Sequence, residues 1–211
     1  MNRDDFNAAS GLNVSRETFA RLTDFVHDFR AWASRINLVA PSTEHEVWER
    51  HVVDSAQLLA LGIEGDHWVD LGSGGGFPGV VLAICLGERD DSRVTLVESN
   101  RKKTSFLQLA KAKHAPNMQV LPQRIGDVVP NTPAPDVVTA RALADLSSLI
   151  EMTHPWLSSG TRGCFLKGRG YEAEIEKSRP KWRFDLVSHP SRTAADAAIL
   201  EISNLRPNEA I

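Results

Sequence analysis

Val69-Asp70-Leu71-Gly72-Ser73-Gly74-Gly75-Gly76-Phe77-Pro78-Gly79 reads as an apolar strand closed by an acidic residue, then a glycine loop, then a helix opening at Pro78. Glycine supplies positive φ and lets backbone N–H groups approach a ligand closely. Proline at the first helical position costs no hydrogen bond and aims the helix N-terminus at whatever is bound. A Gly-rich loop alone is weak evidence, since any strand-to-helix turn can contain one. Here the flanks fit as well, so the stretch predicts a nucleotide-type cofactor cradle in an α/β fold.

Two patterns overlap in the loop. From Gly74, the run Gly74-x-Gly76-x-x-Gly79 fits the dinucleotide fingerprint; from Asp70, it reads acidic-x-Gly-x-Gly-x-Gly, the pattern that binds S-adenosyl-L-methionine. Electrostatics separates them. A carboxylate at Asp70 repels a pyrophosphate and attracts a sulfonium or an ammonium, directly or through water. NAD chemistry is therefore disfavoured.

Outward from the loop, short β-branched runs alternate with helical stretches. The predicted strands are 68–71, 93–97, 118–121, 136–140, 161–167, 183–187 and 198–202. The predicted helices between them are 78–86, 101–115, 143–157 (interrupted by Pro155) and 171–178. This order gives a parallel sheet with helices on both faces. No helix separates the last two strands, so they pair as a hairpin and the last strand is antiparallel. The expected fold is a Rossmann-like (class I) methyltransferase with a seven-stranded, mostly parallel sheet. Ahead of it, residues 1–62 are read as an N-terminal helical cap on a core of 63–211, one compact domain in all. Phe19, Leu22, Val26, Phe29, Trp32 and Ile36 line one face of a helix from Ser15, its N-cap. A second helix opens at Ser42 or Thr43 and ends at Gly62. Arg206 to Ile211 read as a loose tail.

Composition bounds the function. The chain has 211 residues, net charge −3 and 42% apolar residues, which suit one soluble domain with no global signature of nucleic-acid binding. No run approaches the ~20 apolar residues of a membrane span, and the start lacks a signal-peptide layout, so a cytoplasmic protein is expected. Cys85 and Cys164 are read as buried free thiols, and no Cys/His cluster has metal-site spacing. Charge is unevenly placed. Ser99 to Gly126 holds no acidic residue, yet it carries Arg101, Lys102, Lys103, Lys111, Lys113 and Arg124. That suits a face tracking a phosphate backbone and equally a solvated outer helix.

Ligands of open α/β sheets bind beyond the carboxyl ends of the strands. Glu98, about 20 residues past the loop, is placed to accept the ribose hydroxyls. Arg124-Ile125-Gly126-Asp127 follows the third strand and can flank an adenine. Arg141, after the fourth, points to the site, where it can bind a cofactor carboxylate, a phosphate or a base edge. Lys167 and Arg169, flanking Gly168, suit a phosphate contact or a merely flexible basic loop. The Asn-Pro-Pro-aromatic motif of exocyclic-amine methylation and the Pro-Cys pair of pyrimidine-carbon methylation are both absent from the chain. His51 and Asp54 lie three apart on one helix face, as an acid/base pair or, more simply, a helix-stabilising hydrogen bond.

Trp32-x-x-x-Ile36-Asn37-Leu38, Arg50-His51-x-x-Asp54-Ser55, the loop through Phe77-Pro78-Gly79, Arg141-Ala142 and Leu166-Lys167-Gly168, in this order, resemble the bacterial glucose-inhibited division protein B family. The resemblance spans nearly the whole chain. It implies a cytoplasmic, monomeric, metal-free enzyme that methylates N7 of a guanine (position 527) in the 530 loop of 16S rRNA with S-adenosyl-L-methionine. It also implies cofactor contacts at Gly72, Phe77, Ile125, Gly126 and Arg141. The chain departs from the family pattern at Ile125-Gly126-Asp127, and at Ala195 to Ala198 before the last strand. Guanine N7 carries its own lone pair, so no general base is required. The alternatives are a methyltransferase for another RNA or a small molecule, and a non-catalytic cofactor-binding assembly module.

Overall fold

A computed structural model describes residues 1–38 and 46–208. The expected helix start at Ser42 or Thr43 lies outside the described residues. Seven strands form one sheet: β1 (His67–Leu71), β2 (Arg93–Val97), β3 (Met118–Leu121), β4 (Val137–Arg141), β5 (Arg162–Lys167), β6 (Trp182–Pro190) and β7 (Ala198–Pro207). Their order is β3-β2-β1-β4-β5-β7-β6. β1 to β5 pair in parallel, and β7 enters antiparallel between β5 and β6. The chain reverses direction of winding between β1 and β4, which opens a crevice at their carboxyl ends. Arg206 and Pro207 belong to β7, opposite Arg183 and Trp182, so the tail predicted from Arg206 is instead sheet up to Pro207.

Eight α-helices cover the two faces. They are α1 (Arg3–Ser10), α2 (Arg16–Ala33), α3 (Asp54–Ala56), α4 (Gly79–Leu86), α5 (Arg101–His114), α6 (Ile125–Val128), α7 (Leu146–Leu157) and α8 (Tyr171–Ser178) among the described residues. α1 was not foreseen; Asn2 caps it by accepting from the Asp5 N–H. Ser15 caps α2 as expected, accepting from the Thr18 N–H at 2.9 Å. Alternation along β1 sends Trp68 into the core under α2, α4 and α5 and Val69 into the core under α7 and α8. Aromatic rings join the first of these cores: Phe25 lies 6.1 Å from Phe106 of α5, and Phe29 lies 5.1 Å from Phe77 of the glycine loop. The N-terminal helices thus share a core with the sheet.

Two helix boundaries differ from expectation for local reasons. α7 begins at Leu146, where the Asp145 side chain accepts from the Ser148 N–H, and Pro155 does not interrupt it. Proline there removes one helical donor, and the Glu151 carbonyl is met by the His154 ring instead, at 3.0 Å. α4 begins at Gly79, not Pro78, which occupies the N-cap behind a cis Phe77–Pro78 bond. A Cβ at Gly79 would stand 2.7 Å from the Asp70 carboxylate and 2.8 Å from Leu96, so only glycine lets α4 approach the sheet this closely. Gly79→Ala is expected to destabilise the chain by about 1–3 kcal/mol, the usual range for overpacking. Chemical denaturation checks this, and an unchanged midpoint would show that the α4 contact has slack.

Candidate cofactor and substrate cleft

A cleft of about 820 Å³ opens at the carboxyl ends of β1, β4 and β5. That volume is within the range of sites that enclose a small molecule. Its floor is the glycine loop. Gly72, Gly74 and Gly76 have φ of +67°, +53° and +91°, and the Gly72 and Ser73 N–H groups both donate to the Val97 carbonyl of β2. A Cβ at Gly74 would meet nothing closer than 3.7 Å, so the space above this residue is open. Glu98, at the end of β2, accepts from the Gly74 N–H at 3.0 Å and from the Asn100 N–H at 2.7 Å. The loop and the expected ribose acceptor are therefore physically linked.

Asp70 has a different place from the one expected. It is 1% exposed and does not line the cleft. Parallel pairing sets Asp70 opposite Thr139 of β4, on the same face of the sheet, and the Thr139 hydroxyl donates to it at 3.2 Å. Its other oxygen accepts from the Gly79 N–H at 3.1 Å, so the N-terminus of α4 is spent on Asp70 rather than aimed at a ligand. Burial pushes this carboxyl up to about 6, against the opposing pull of these hydrogen bonds and of Arg141. Because the folded value exceeds the ordinary 3.8, the folded chain holds a proton that the unfolded chain releases between about pH 4 and pH 6. Its contribution to stability is full below that window and is lost as pH rises through about 6, a span worth about 3 kcal/mol. Asp70→Asn is expected to gain stability relative to the parent as pH is raised from 4 to 7. Melting curves across that range check this; a constant difference between the two proteins would refute it.

The wall facing the glycine loop is built around Arg141, at the end of β4. Its side chain is 16% exposed, and the guanidinium donates to the Arg50 carbonyl at 2.7 Å, to Asp54 at 3.3 Å and to His51 Nδ1 at 2.7 Å. It also lies 5.6 Å over the Phe77 ring, against which His51 stacks at 5.1 Å. Burial lowers the Arg141 pKa, and the Asp54 carboxylate acts against that fall. Arg50 and His51 sit in a π-helical stretch, Trp48–Val53, a form that is rare and common at functional sites. The spacing suggested a bond between His51 and Asp54 themselves; the structure brings both of them to Arg141. Phe77, expected as a cofactor contact, lines the cleft, and its largely buried ring ties the loop to α2 and to His51.

The remaining predicted residues divide. Lys103 lines the cleft, while Arg101 and Lys102 are exposed on the first turn of α5 beside it. Farther along α5, Lys113 and His114 are both taken by Asp28 of α2, at 2.9 Å, so the basic stretch does not act as one surface. Lys167 is a correction: its side chain is 9% exposed, donates to the Ala144 carbonyl at 2.8 Å and pairs with Glu174 of α8. It lines the cleft, but its charge is met there by Glu174, and it fastens α8 to the loop before α7. Arg169 is 88% exposed on the rim, paired with Asp196 at 2.8 Å. Ile125 and Gly126 open α6 beyond β3, outside the cleft wall. Cys164 is buried and Cys85 half-buried; both are free, and burial pushes the Cys85 thiol up to about 12.

One wall was missed. The β6–β7 connection brings Ser191, Thr193 and Asp196 over the cleft. Thr193 donates to Asp54 at 2.9 Å, and Gln57 donates to Asp54 and accepts from the Arg192 N–H. A glutamine set between apolar neighbours, 2% exposed, was the available signal.

A family model described as rRNA small subunit methyltransferase G (GidB) matches residues 18–202. The chain belongs to this family. Ribosomal RNA small subunit methyltransferase G of Chelativorans sp. (strain BNC1) is 50% identical over 193 residues, 92% of each chain. Its counterpart in Rhizobium meliloti (strain 1021) is 48% identical over 201 residues, 94% of each. Solved structures resemble the fold at low identity: cofactor-bound Rv0187 from MTB has a TM-score of 0.59 at 16% identity, covering 97% of this chain and 98% of that one. MtNAS in complex with S-adenosylmethionine has a TM-score of 0.56 at 14% identity, covering 85% and 72%. Membership in the methyltransferase G family makes the chain an rRNA methyltransferase that uses S-adenosyl-L-methionine. Among the described residues no helix is long and apolar enough to cross a membrane, and no group of side chains is placed to hold a metal.

Proposed function

We propose that this chain methylates N7 of a guanine, position 527, in the 530 loop of 16S rRNA. The observation that carries the reading is the engagement of the proton acceptors in the cleft wall. His51 Nδ1 and Asp54 are held by Arg141, Glu174 by Lys167 and the Leu146 N–H, and Asp196 by Arg169. A nucleophile that must first lose a proton finds each of these groups already engaged, whereas N7 attacks through a lone pair it already has. Bound S-adenosyl-L-methionine supplies an electrophilic methyl group on a sulfonium.

The residues present fit that donor. Gly72 to Gly75 line the floor, open above Gly74; Glu98, bonded to the Gly74 N–H, would take the ribose hydroxyls, Ile125 and Gly126 would flank the adenine beyond the cleft wall, and Arg141 and Lys103 would meet the carboxylate. Catalysis is then positioning: aligning N7 with the methyl carbon is worth up to ~7–11 kcal/mol. Mapping N7-methylguanine in 16S rRNA from cells with and without the gene tests the assignment, and an unmodified guanine 527 in both would sink it.

The first turn of α5 supports an RNA substrate on separate grounds. Arg101, Lys102 and Lys103 crowd the positive end of a helix, where cations are disfavoured and only Asn100 caps the free N–H groups. Such a cluster gains a role if it meets phosphates. Lys102→Glu with Lys103→Glu is expected to weaken rRNA binding about tenfold or more at moderate salt, and cofactor binding less. Filter binding and calorimetry on the same protein check this; unchanged RNA binding would return these lysines to ordinary solvated surface, and an equal loss of both would trace to Lys103 at the cofactor.

A further inference from the structure

The far end of the β6–β7 ribbon carries a concavity of about 330 Å³, walled by Arg179, Arg183, Arg206, Trp182 and Phe184. It lies on the edge hairpin, at the end of β6 away from the cleft. Ser191, which lines the cleft, follows Pro190 at the end of β6, and Arg183 is seven residues back, about 23 Å at ~3.3 Å per residue.

Its charges are placed against their own repulsion. Arg183 and Arg206 are direct cross-strand partners, an arrangement of like charges that destabilises a ladder. Among the described residues neither forms an ion pair; Arg183 donates to the Asn208 side chain at 2.8 Å. Asp185, the carboxylate in this wall, accepts from Asn204 at 2.6 Å. Arg179 stands 5.7 Å over the Phe184 ring and pairs with the exposed Glu176 at 3.6 Å, and the buried Trp182 indole N–H has no acceptor among the described residues. Arg179, Arg183 and Arg206 line this one concavity, and planar guanidiniums match the phosphates of a nucleic-acid backbone.

We propose that this concavity is a second RNA-backbone contact, remote from the methyl-transfer cleft, in which Arg183, Arg206 and Arg179 hold phosphates. It requires an RNA substrate but not guanine N7 as its target. At about 23 Å along β6, Arg183 is more than two Debye lengths from the cleft at physiological salt, so changes at Arg183 and its cross-strand partner Arg206 leave cofactor binding alone.

The test compares the full chain with Arg183→Gln/Arg206→Gln, and with the charge-reversed Arg183→Glu/Arg206→Glu, on unmethylated 16S rRNA across a salt series. The expected result for the glutamine pair is a melting temperature equal to or above the parent's, because a repulsion is relieved. RNA affinity should fall about tenfold, with a salt slope shallower by about 1–2. S-adenosyl-L-methionine affinity and turnover at saturating RNA should not change. Unaltered RNA affinity and salt slope in both variants would overturn the proposal. Failure of the N7 assignment would instead appear in the parent protein's methylation map and leave the salt comparison readable.

Discussion

Gly74→Asp leaves the chain folded and removes S-adenosyl-L-methionine binding. At φ +53° aspartate is among the side chains best able to adopt the conformation, and its Cβ meets no atom of the protein closer than 3.7 Å. The fold therefore has little reason to fail. What the new side chain fills is the open space of the cleft floor, beside Glu98, whose carboxylate already accepts from the Gly74 N–H. It also approaches Lys103, whose Nζ lies 4.0 Å from the Cβ position, and would draw that cation away from a ligand carboxylate. Occupied volume and a misplaced charge together predict a loss of affinity of about a hundredfold or more, roughly 3 kcal/mol. Calorimetry reads it directly. Near-parental affinity in a folded Gly74→Asp protein would falsify the glycine loop as the cofactor floor.

Arg141→Ala should cost both stability and turnover. One guanidinium holds the Arg50 carbonyl, Asp54 and His51 at once, and so fastens the Trp48–Val53 stretch to β4 across the cleft. Truncation leaves Asp54 half-buried with only neutral donors, Gln57 and Thr193, for which a loss of about 2–4 kcal/mol is expected. Methyl transfer should fall about a hundredfold or more, since the wall that orients the substrate loses its anchor. Arg141→Lys should not restore it: a single ammonium cannot reproduce a planar fork serving three acceptors. The second measurement is a cycle with Asp54→Asn. Coupled residues give less than the sum of the single losses, and strict additivity would mean that Arg141 does not act through Asp54.

These predictions depend on contacts of differing legibility. The bounds of β2, β3 and α8 were readable in the chain because short-range pattern sets them: β-branched runs, turn residues and helix caps are local. The glycine cradle was readable for the same reason. His51 and Asp54 were visible as a pair, but their common partner lies 90 and 87 residues away, beyond any periodicity. Lys167 read as a free cation because Glu174, which neutralises it, is presented by a separate helix, α8. Asp70 read as a ligand group because a strand's end says nothing about which face its last side chains take. The register with Thr139 and the close approach of Gly79 decide that.

The sequence by itself determined the order of strands and helices, the cofactor cradle and the family, since each follows from residues near one another or from a pattern carried along the whole chain. Only the tertiary structure decided which charges are available. Burial, strand register and partners brought from distant elements turned Asp70 away from the cleft, neutralised Lys167 within its wall and Lys113 on α5, placed Arg141 at the centre of that wall, and set Arg183 beside Arg206 on the edge hairpin. A side chain's charge is written in the sequence, but the field it contributes depends on what the fold puts against it.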